Sequence, residues 1–388
     1  MLKSIEMSNF RSFKHIQMDD LPRICLLSGK NSVGKSTILE AIFFFYCSHM
    51  NTMLMQAQIT RARPLLPDNF LPSLFHAYDV DHEAVLQFTD ESSVYTNHYM
   101  FSKGESLHQL PSNSQIPKMI IQGPPSINNI PQMAIPNMNE LIPVSSLIIK
   151  KQYQPTSLTG DENNDKTSQL FNYEGFPIST LVGDNSQPSK HAFFLTASEN
   201  RSADASPLSP ESLFSMLQDQ RREQEAIDTI KKIVPSILSI RVSVKNNQPM
   251  LMCYVDGSSQ DIPLSHMGDG VVRSFSMILQ TLTTKSDILL IDEIENGVHY
   301  SVLHVLWDAI FANSEINKCQ IFATTHSYEC IKAAIKSYQN FADSNLYPSE
   351  RNLFAFYRLE NRGNDNVTAV RYGSGELAEV IDSDWEVR

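Results

Sequence analysis

Residues 29–37 read Gly29-Lys30-Asn31-Ser32-Val33-Gly34-Lys35-Ser36-Thr37. The stretch fits a phosphate-binding loop, G-x-x-x-x-G-K-[S/T], with Gly29, Gly34, Lys35 and Ser36 at its fixed positions. An apolar run, Ile24-Cys25-Leu26-Leu27, precedes it; another, Ile38 to Tyr46, broken only by Glu40, follows. That is the strand–loop–helix setting the motif needs. Glycines let backbone N–H groups turn onto phosphate oxygens, and the helix N-terminus adds a favourable dipole. Lys35 is expected against the β- and γ-phosphates, and the Ser36 hydroxyl on Mg²⁺. Asn31, Ser32 and Thr37 complete the expected cradle.

A phosphate loop alone only binds; hydrolysis also needs a carboxylate beside the metal and a group that activates water. Ile288-Leu289-Leu290-Ile291-Asp292-Glu293 supplies both. Its four apolar residues read as a strand buried on both faces, as central parallel strands are. Asp292 is expected in the Mg²⁺ shell, and Glu293 beside the attacking water. Gln320 to Ser327 reads as a further buried strand that ends in Thr325-His326-Ser327, where ligands gather in open α/β sheets. His326 is expected to donate a hydrogen bond to the γ-phosphate.

Composition bounds the partners. The 388 residues are 41% apolar, enough for a substantial core, and no apolar run approaches the ~20 residues of a membrane span. The N-terminus lacks the layout of a signal peptide. Cys25, Cys47, Cys253, Cys319 and Cys330 are scattered without metal-ligand spacing and read as buried thiols of a reducing compartment, so the expected location is the cytoplasm. A formal net charge of −12 argues against nonspecific coating of nucleic acid, leaving DNA contact to local clusters such as Arg11, Lys14 and His15, or Arg61 and Arg63.

The coarse pattern predicts strands at Ser4–Phe10, Ala84–Phe88 and Val94–Met100. Prolines recur at 111, 117, 124, 125, 131, 136, 143 and 155. They mark an irregular inserted element in which Met119–Ile121 and Leu147–Ile149 could add short strands. Asp161 to Lys166 reads as a polar turn or flexible loop. His191–Thr196 is predicted as a returning strand and Pro210–Val234 as one helical stretch. Paired strands follow at Ile237–Val244 and Met250–Val255. Met267-Gly268-Asp269-Gly270 opens a helix that runs to Leu282; further helices are predicted at Val302–Phe311 and Tyr328–Tyr338, and closing strands at Leu353–Arg358 and Val367–Tyr372. The expected division is 1–48 and 191–388 for the two parts of one α/β domain and 49–190 for antiparallel strands plus the insertion.

The set Asn9-Phe10-Arg11-Ser12-Phe13, Gly29 to Thr37, Met267 to Gly270, Asp292-Glu293 and Thr325-His326-Ser327 resembles the ABC-type ATPases of the SMC/RecF branch. Within it the chain looks most like the OLD-like ATP-binding proteins of bacteria and phage defence. Glu293-Ile294-Glu295-Asn296-Gly297-Val298-His299-Tyr300 is especially similar to that group. The likeness covers about 1–48 and 190–388. It implies an ABC-ATPase head: a parallel core sheet flanked by helices, an antiparallel N-terminal sheet and an insertion. It also implies ATP and Mg²⁺ as ligands, and dimers (or multiples of dimers) in which two heads sandwich two nucleotides. By the same likeness Gly268, Asp269 and Gly270 would cap the γ-phosphate in trans, Glu295 to His299 would cross the dimer seam, and Arg11 would lie near the nucleotide. Gly268 stands where many such motifs carry serine, so backbone N–H groups would do the capping.

No sustained a/d heptad pattern lies between the phosphate loop and Met267, against a long coiled coil. Only 62 residues follow His326, too few for the metal-binding nuclease domain of full-length OLD nucleases. The expectation is therefore a stand-alone ATPase switch without membrane association, one that closes around ATP and regulates a separately encoded effector, a nuclease or toxin, in defence against phage. The alternative is a RecF-like, ATP-gated DNA clamp in repair.

Overall fold

The computed structural model describes residues 1–46, 71–103, 143–155, 166–173, 180–183, 192–195, 209–245, 247–283, 287–343, 353–363, 365–373 and 375–376. Three sheets organise them. The first is antiparallel and seven-stranded: β1 (Leu2–Phe10), β2 (Phe13–Met18), β4 (Ala84–Asp90), β5 (Ser93–Lys103), β6 (Pro143–Pro155), β7 (Lys166–Tyr173) and β8 (Thr180–Gly183), in the order β2-β1-β4-β5-β6-β7-β8. The second is the core sheet, β16-β15-β3-β14-β13-β9, built from β3 (Ile24–Gly29), β9 (Ala192–Leu195), β13 (Ile288–Ile291), β14 (Gln320–Thr324), β15 (Phe354–Asn361) and β16 (Val367–Tyr372). Only β16, at its edge, runs antiparallel. The third is small: β10 (Ile237–Lys245), β11 (Gln248–Val255) and β12 (Ile262–Pro263).

The unbroken apolar runs of β3, β13 and β14 follow from a core on each face of their sheet. On one face Cys25, Leu27, Leu290, Phe322 and Tyr357 share a core with α1 (Lys35–Tyr46) and with Ile5, Met7, Leu86, Phe88 and Ile149 of the antiparallel sheet. On the other, Ile24, Leu26, Leu289, Ile291, Ile321 and Phe356 pack with residues of α2 (Pro210–Asp219), α3 (Glu223–Lys231), α4 (Asp269–Thr283), α5 (Leu303–Asn317) and α6 (Tyr328–Asp343). Helix α1 lies between two sheets, so almost every one of its residues is buried, Glu40 included. Gln320 ties the layers: its amide donates to the carbonyls of Leu2 and Pro22, and its Oε1 accepts from the Leu2 amide, all within 2.9 Å.

The structure departs from the sequence expectations in places. Strand β2 occupies Phe13–Met18, where no element was expected; Phe13, Ile16 and Met18 turn inward, Lys14 and His15 outward. Pro143 to Pro155 is one long strand rather than an irregular stretch with a short strand at Leu147–Ile149. Both prolines sit at its ends, where a missing N–H interrupts no interior pairing. Of the turn expected over Asp161 to Lys166, residues 161–165 lie outside the described residues, and Lys166 opens β7. The single helix expected over 210–234 is two, α2 and α3, broken where Arg221 adopts φ 58°, a left-handed residue that no helix continues through. Met119–Ile121, Arg61, Arg63 and Cys47 lie outside the described residues. The other four cysteines are buried free thiols, and burial pushes those of Cys319 and Cys330 up to about 12.

Candidate functional site

Strand order assembles the site. β14 lies between β3 and β13 in a parallel sheet, so their carboxyl ends open side by side. The ends of these strands carry, in that order across the sheet, the glycine-rich loop after Leu27, the Thr324-Thr325-His326 corner, and Asp292-Glu293. Ligands of open α/β sheets sit at such carboxyl edges.

Both motif glycines are required by contact. Gly29 has φ +142°, and a Cβ there would stand 2.6 Å from the carbonyl oxygen of Leu359 on the neighbouring β15. Gly34 has φ +107°, and a Cβ there would lie 2.4 Å from Phe13 Cζ. Between them Ser32 is left-handed too, at φ 64°. The loop closes on its own lysine: Lys35 Nζ donates to the carbonyls of Gly29 (2.8 Å) and Lys30 (3.2 Å). Burial pulls the Lys35 ammonium below its ordinary pKa, against the opposing pull of Asp292, Glu293 and Glu295. Thr37, one turn inside α1, is held by the Ser12 hydroxyl at 3.0 Å.

The loop meets the acid pair directly. Ser36 Oγ donates to Asp292 Oδ1 at 3.0 Å, and Thr324 Oγ1 donates to the same oxygen at 2.5 Å. Burial raises the pKa of Asp292, the two hydroxyl donors oppose that, and the charges of Glu293 and Glu40 add to it. The Glu293 amide donates to Thr324 Oγ1 (2.8 Å), its carbonyl accepts from Arg273 (3.3 Å), and its carboxylate accepts from Asn296 (3.3 Å). These bonds, with one from the Asn296 amide to the Glu293 carbonyl (2.9 Å), hold Glu293 at φ 50°, a conformation that costs a non-glycine residue roughly 1–2 kcal/mol. Backbone strain of this kind concentrates at functional sites. The Glu293 carboxylate stays exposed to solvent.

The hydroxyl of Ser36 and the carboxylate of Asp292 are hard oxygen donors already one hydrogen bond apart, and that donor set suits Mg²⁺. His326 meets a partner from within the chain: its backbone N–H and its Nδ1 both contact Glu295 Oε1, at 2.8 and 2.9 Å. Gly268 precedes α4 and Asp269 opens it, with no atom of the described residues within 4 Å of where a Gly268 Cβ would stand. A Cβ on Gly270 would lie 3.0 Å from the Gly297 carbonyl oxygen, so the start of α4 rests on the turn that follows Glu293. Arg273, one turn further, packs its side chain against Gly297 and reaches the Glu293 carbonyl.

Arg11, expected near the nucleotide, is buried against α1. Its guanidinium pairs with Glu40 at 2.5 Å and lies over the rings of Phe10 and Phe44. Asn31 and Ser32 lie on the exposed rim of the loop. Sequence reasoning missed Thr324, Arg273 and the pairing of Glu295 with His326. Thr324 could have been found as the polar residue ending a buried strand; Arg273 shows no signal in the sequence beyond its place on an amphipathic helix.

Two family profiles match the chain. One, described as "AAA domain, putative AbiEii toxin, Type IV TA system", matches residues 133–331, just over half of the chain; another, described as an AAA ATPase domain, matches 1–180. The chain is similar to an ATP/GTP phosphatase of Helicobacter pylori, 24% identical over 340 residues, 86% of this chain and 87% of that protein. It is also similar to the DNA replication and repair protein RecF of Lactococcus lactis, 44% identical over 43 residues, 11% of this chain and 12% of RecF. Among solved structures, an SMC head bound to the C-terminal winged-helix domain of ScpA superposes with TM-score 0.48 at 12% identity, covering 97% of this chain and 99% of that one.

Proposed function

This chain belongs to the AAA-domain family matched over residues 133–331 and is an ATPase, and we propose on that premise that it works as an ATP-driven switch. The observation that carries the reading is one hydrogen-bonded chain. Ser36 of the phosphate loop and Thr324 of β14 both donate to Asp292, and Thr324 also accepts from the amide of Glu293. Groups placed at or just past the carboxyl ends of three separate strands therefore form one unit.

In this reading Lys35 leaves the carbonyls of Gly29 and Lys30 to meet the β- and γ-phosphates, and the amides of loop 29–37 cradle the rest. Asn31, Ser32 and Thr37 line that cradle. Ser36 and Asp292 would hold Mg²⁺, which supplies charge neutralisation to phosphoryl transfer. Glu293, strained and solvent-facing, orients the attacking water and takes its proton. Gly268, Asp269 and Gly270 present the α4 N-terminus to a second copy's nucleotide, which makes ATP the link between two heads. Such a ligand shifts the closed–open balance only by binding the closed form better, and hydrolysis removes that bias.

The finer role we propose is control of a separate effector, a nuclease or toxin, in defence against phage, in the manner of OLD-like proteins. Two things support it: the motif likeness across Glu293–Tyr300, and a family description that names a toxin of a type IV toxin–antitoxin system. The test is Glu293→Gln. The variant should retain ATP binding, lose at least about a hundredfold in phosphate release, and accumulate as an ATP-dependent dimer in light scattering. Turnover equal to wild type would reject the role given to Glu293. Absence of any ATP-dependent dimer in either protein would reject the switch.

A further inference from the structure

We propose that Glu295 is a positioning residue: it holds His326 by two bonds to one carboxylate oxygen and thereby sets which ring nitrogen faces the nucleotide. The proposal rests on the ATPase reading above and concerns a pairing that reading does not use. Glu295 lies two residues past Glu293, in the turn that leads from β13 toward α5. Its side chain is only 9% exposed. Oε1 accepts from the His326 backbone N–H at 2.8 Å and lies 2.9 Å from His326 Nδ1. Oε2 is enclosed by protein and has no hydrogen-bond partner among the described residues.

An ionised carboxylate can only accept, so the ring nitrogen facing it carries the hydrogen. Nδ1–H therefore points inward to Glu295, and Nε2 is left on the other side of a ring that is 54% exposed. A free neutral imidazole in water prefers its hydrogen on Nε2, so the fold imposes the less common tautomer. The arrangement matches that of an acid–base pair in which a third group orients the histidine. Burying a carboxylate with one oxygen unpartnered costs stability, and such groups persist where function needs them. The two bonds also fix the backbone at His326, the first residue past the β14–β3 contact in which the Thr325 amide donates to Leu27. The ring is thereby anchored at the end of β14, the strand that runs between those leading to the phosphate loop and to Asp292.

The tautomer is read first, in the full chain without nucleotide, by long-range ¹H–¹⁵N spectra of ¹⁵N-histidine-labelled protein, with His326 assigned by H326N. Wild type should show Nδ1–H alone; E295L, which keeps the volume and removes the acceptor, should shift toward Nε2–H. An Nε2–H signal for wild-type His326 overturns the proposal, and that measurement stands even if E295L does not fold. Steady-state kinetics follow. E295Q and E295L should each lower kcat about tenfold to a hundredfold, the range for residues that orient a ligand or base, with KM for ATP within about twofold. Either change added to H326A should cost nothing more, because Glu295 acts only through His326. A further multiplicative loss in the double variant refutes the proposal. If wild type shows Nδ1–H but hydrolyses no ATP, the positioning is supported and the ATPase reading falls.

Discussion

Gly34→Ala tests the geometry of the phosphate loop most sharply. The added Cβ would stand 2.4 Å from Phe13 Cζ and 2.7 Å from Cε1. Carbon atoms pack at about 3.5–4.0 Å, so the overlap exceeds about 1 Å. Phe13 is fully buried and cannot swing away. Two costs add. Overpacking a close-packed site costs about 1–3 kcal/mol, and holding alanine at φ +107° costs roughly 1–3 kcal/mol more. The expected loss is therefore about 2–6 kcal/mol if the loop keeps its shape, and less if the loop deforms, in which case nucleotide affinity absorbs the difference. Both are measured: urea unfolding midpoints of the nucleotide-free protein, and titration with a fluorescent ATP analogue. A double-mutant cycle separates the two costs. Phe13→Leu should recover the overpacking share in the Gly34→Ala background, a coupling of about 1–3 kcal/mol, while the strain in φ persists. Gly34→Ala within about 0.5 kcal/mol of wild type, with normal nucleotide affinity and additive effects, would refute the contact.

Asp292→Asn should stabilise the nucleotide-free protein at neutral pH while abolishing Mg²⁺-dependent turnover. Burial raises the folded pKa of Asp292, so the native state holds its proton longer than the unfolded chain does; stability from this group is present below the unfolded pKa of 3.8 and is lost as pH rises through the folded value. The gain of the variant in urea midpoint should thus shrink as pH falls toward 4, and a constant gain would contradict the cause. Arg11→Ala leaves Glu40 buried without its guanidinium and should cost about 3–5 kcal/mol in thermal or urea unfolding, whereas loss of nucleotide affinity with unchanged stability would place Arg11 at the ligand after all. Thr324→Val strips one donor from Asp292 and the acceptor from the Glu293 amide; we expect a loss of about 1.5–3 kcal/mol together with slowed phosphate release, and a variant of full stability and turnover would show the bridge to be idle.

Much of the core was legible because its signals are local. Unbroken apolar runs at Ile24–Leu27, Ile288–Ile291 and Ile321–Ala323 mark strands covered on both faces, and a glycine-rich loop followed by an apolar helix has one physical use. Other features were decided at a distance. Whether Arg11 meets a nucleotide or a carboxylate depends on how α1 lies under the antiparallel sheet, and that packing brings Glu40, 29 positions along the chain, against it. No periodicity encodes this. The one-helix reading of 210–234 failed because helical spacing survives a short break, and the left-handed turn at Arg221 carries neither glycine nor proline to announce it.

From its sequence alone, then, the chain reveals which residue types are present for phosphate, metal and water, because each motif is contiguous and its chemistry needs only neighbours. The three-dimensional fold alone decides that β14 runs between β3 and β13, so that Thr324 bridges Asp292 and Glu293, Ser36 donates to the same Asp292 oxygen, and Glu295 captures His326. Strand order is set by the burial of two opposite faces at once, a property of the whole packed sheet that no single segment contains.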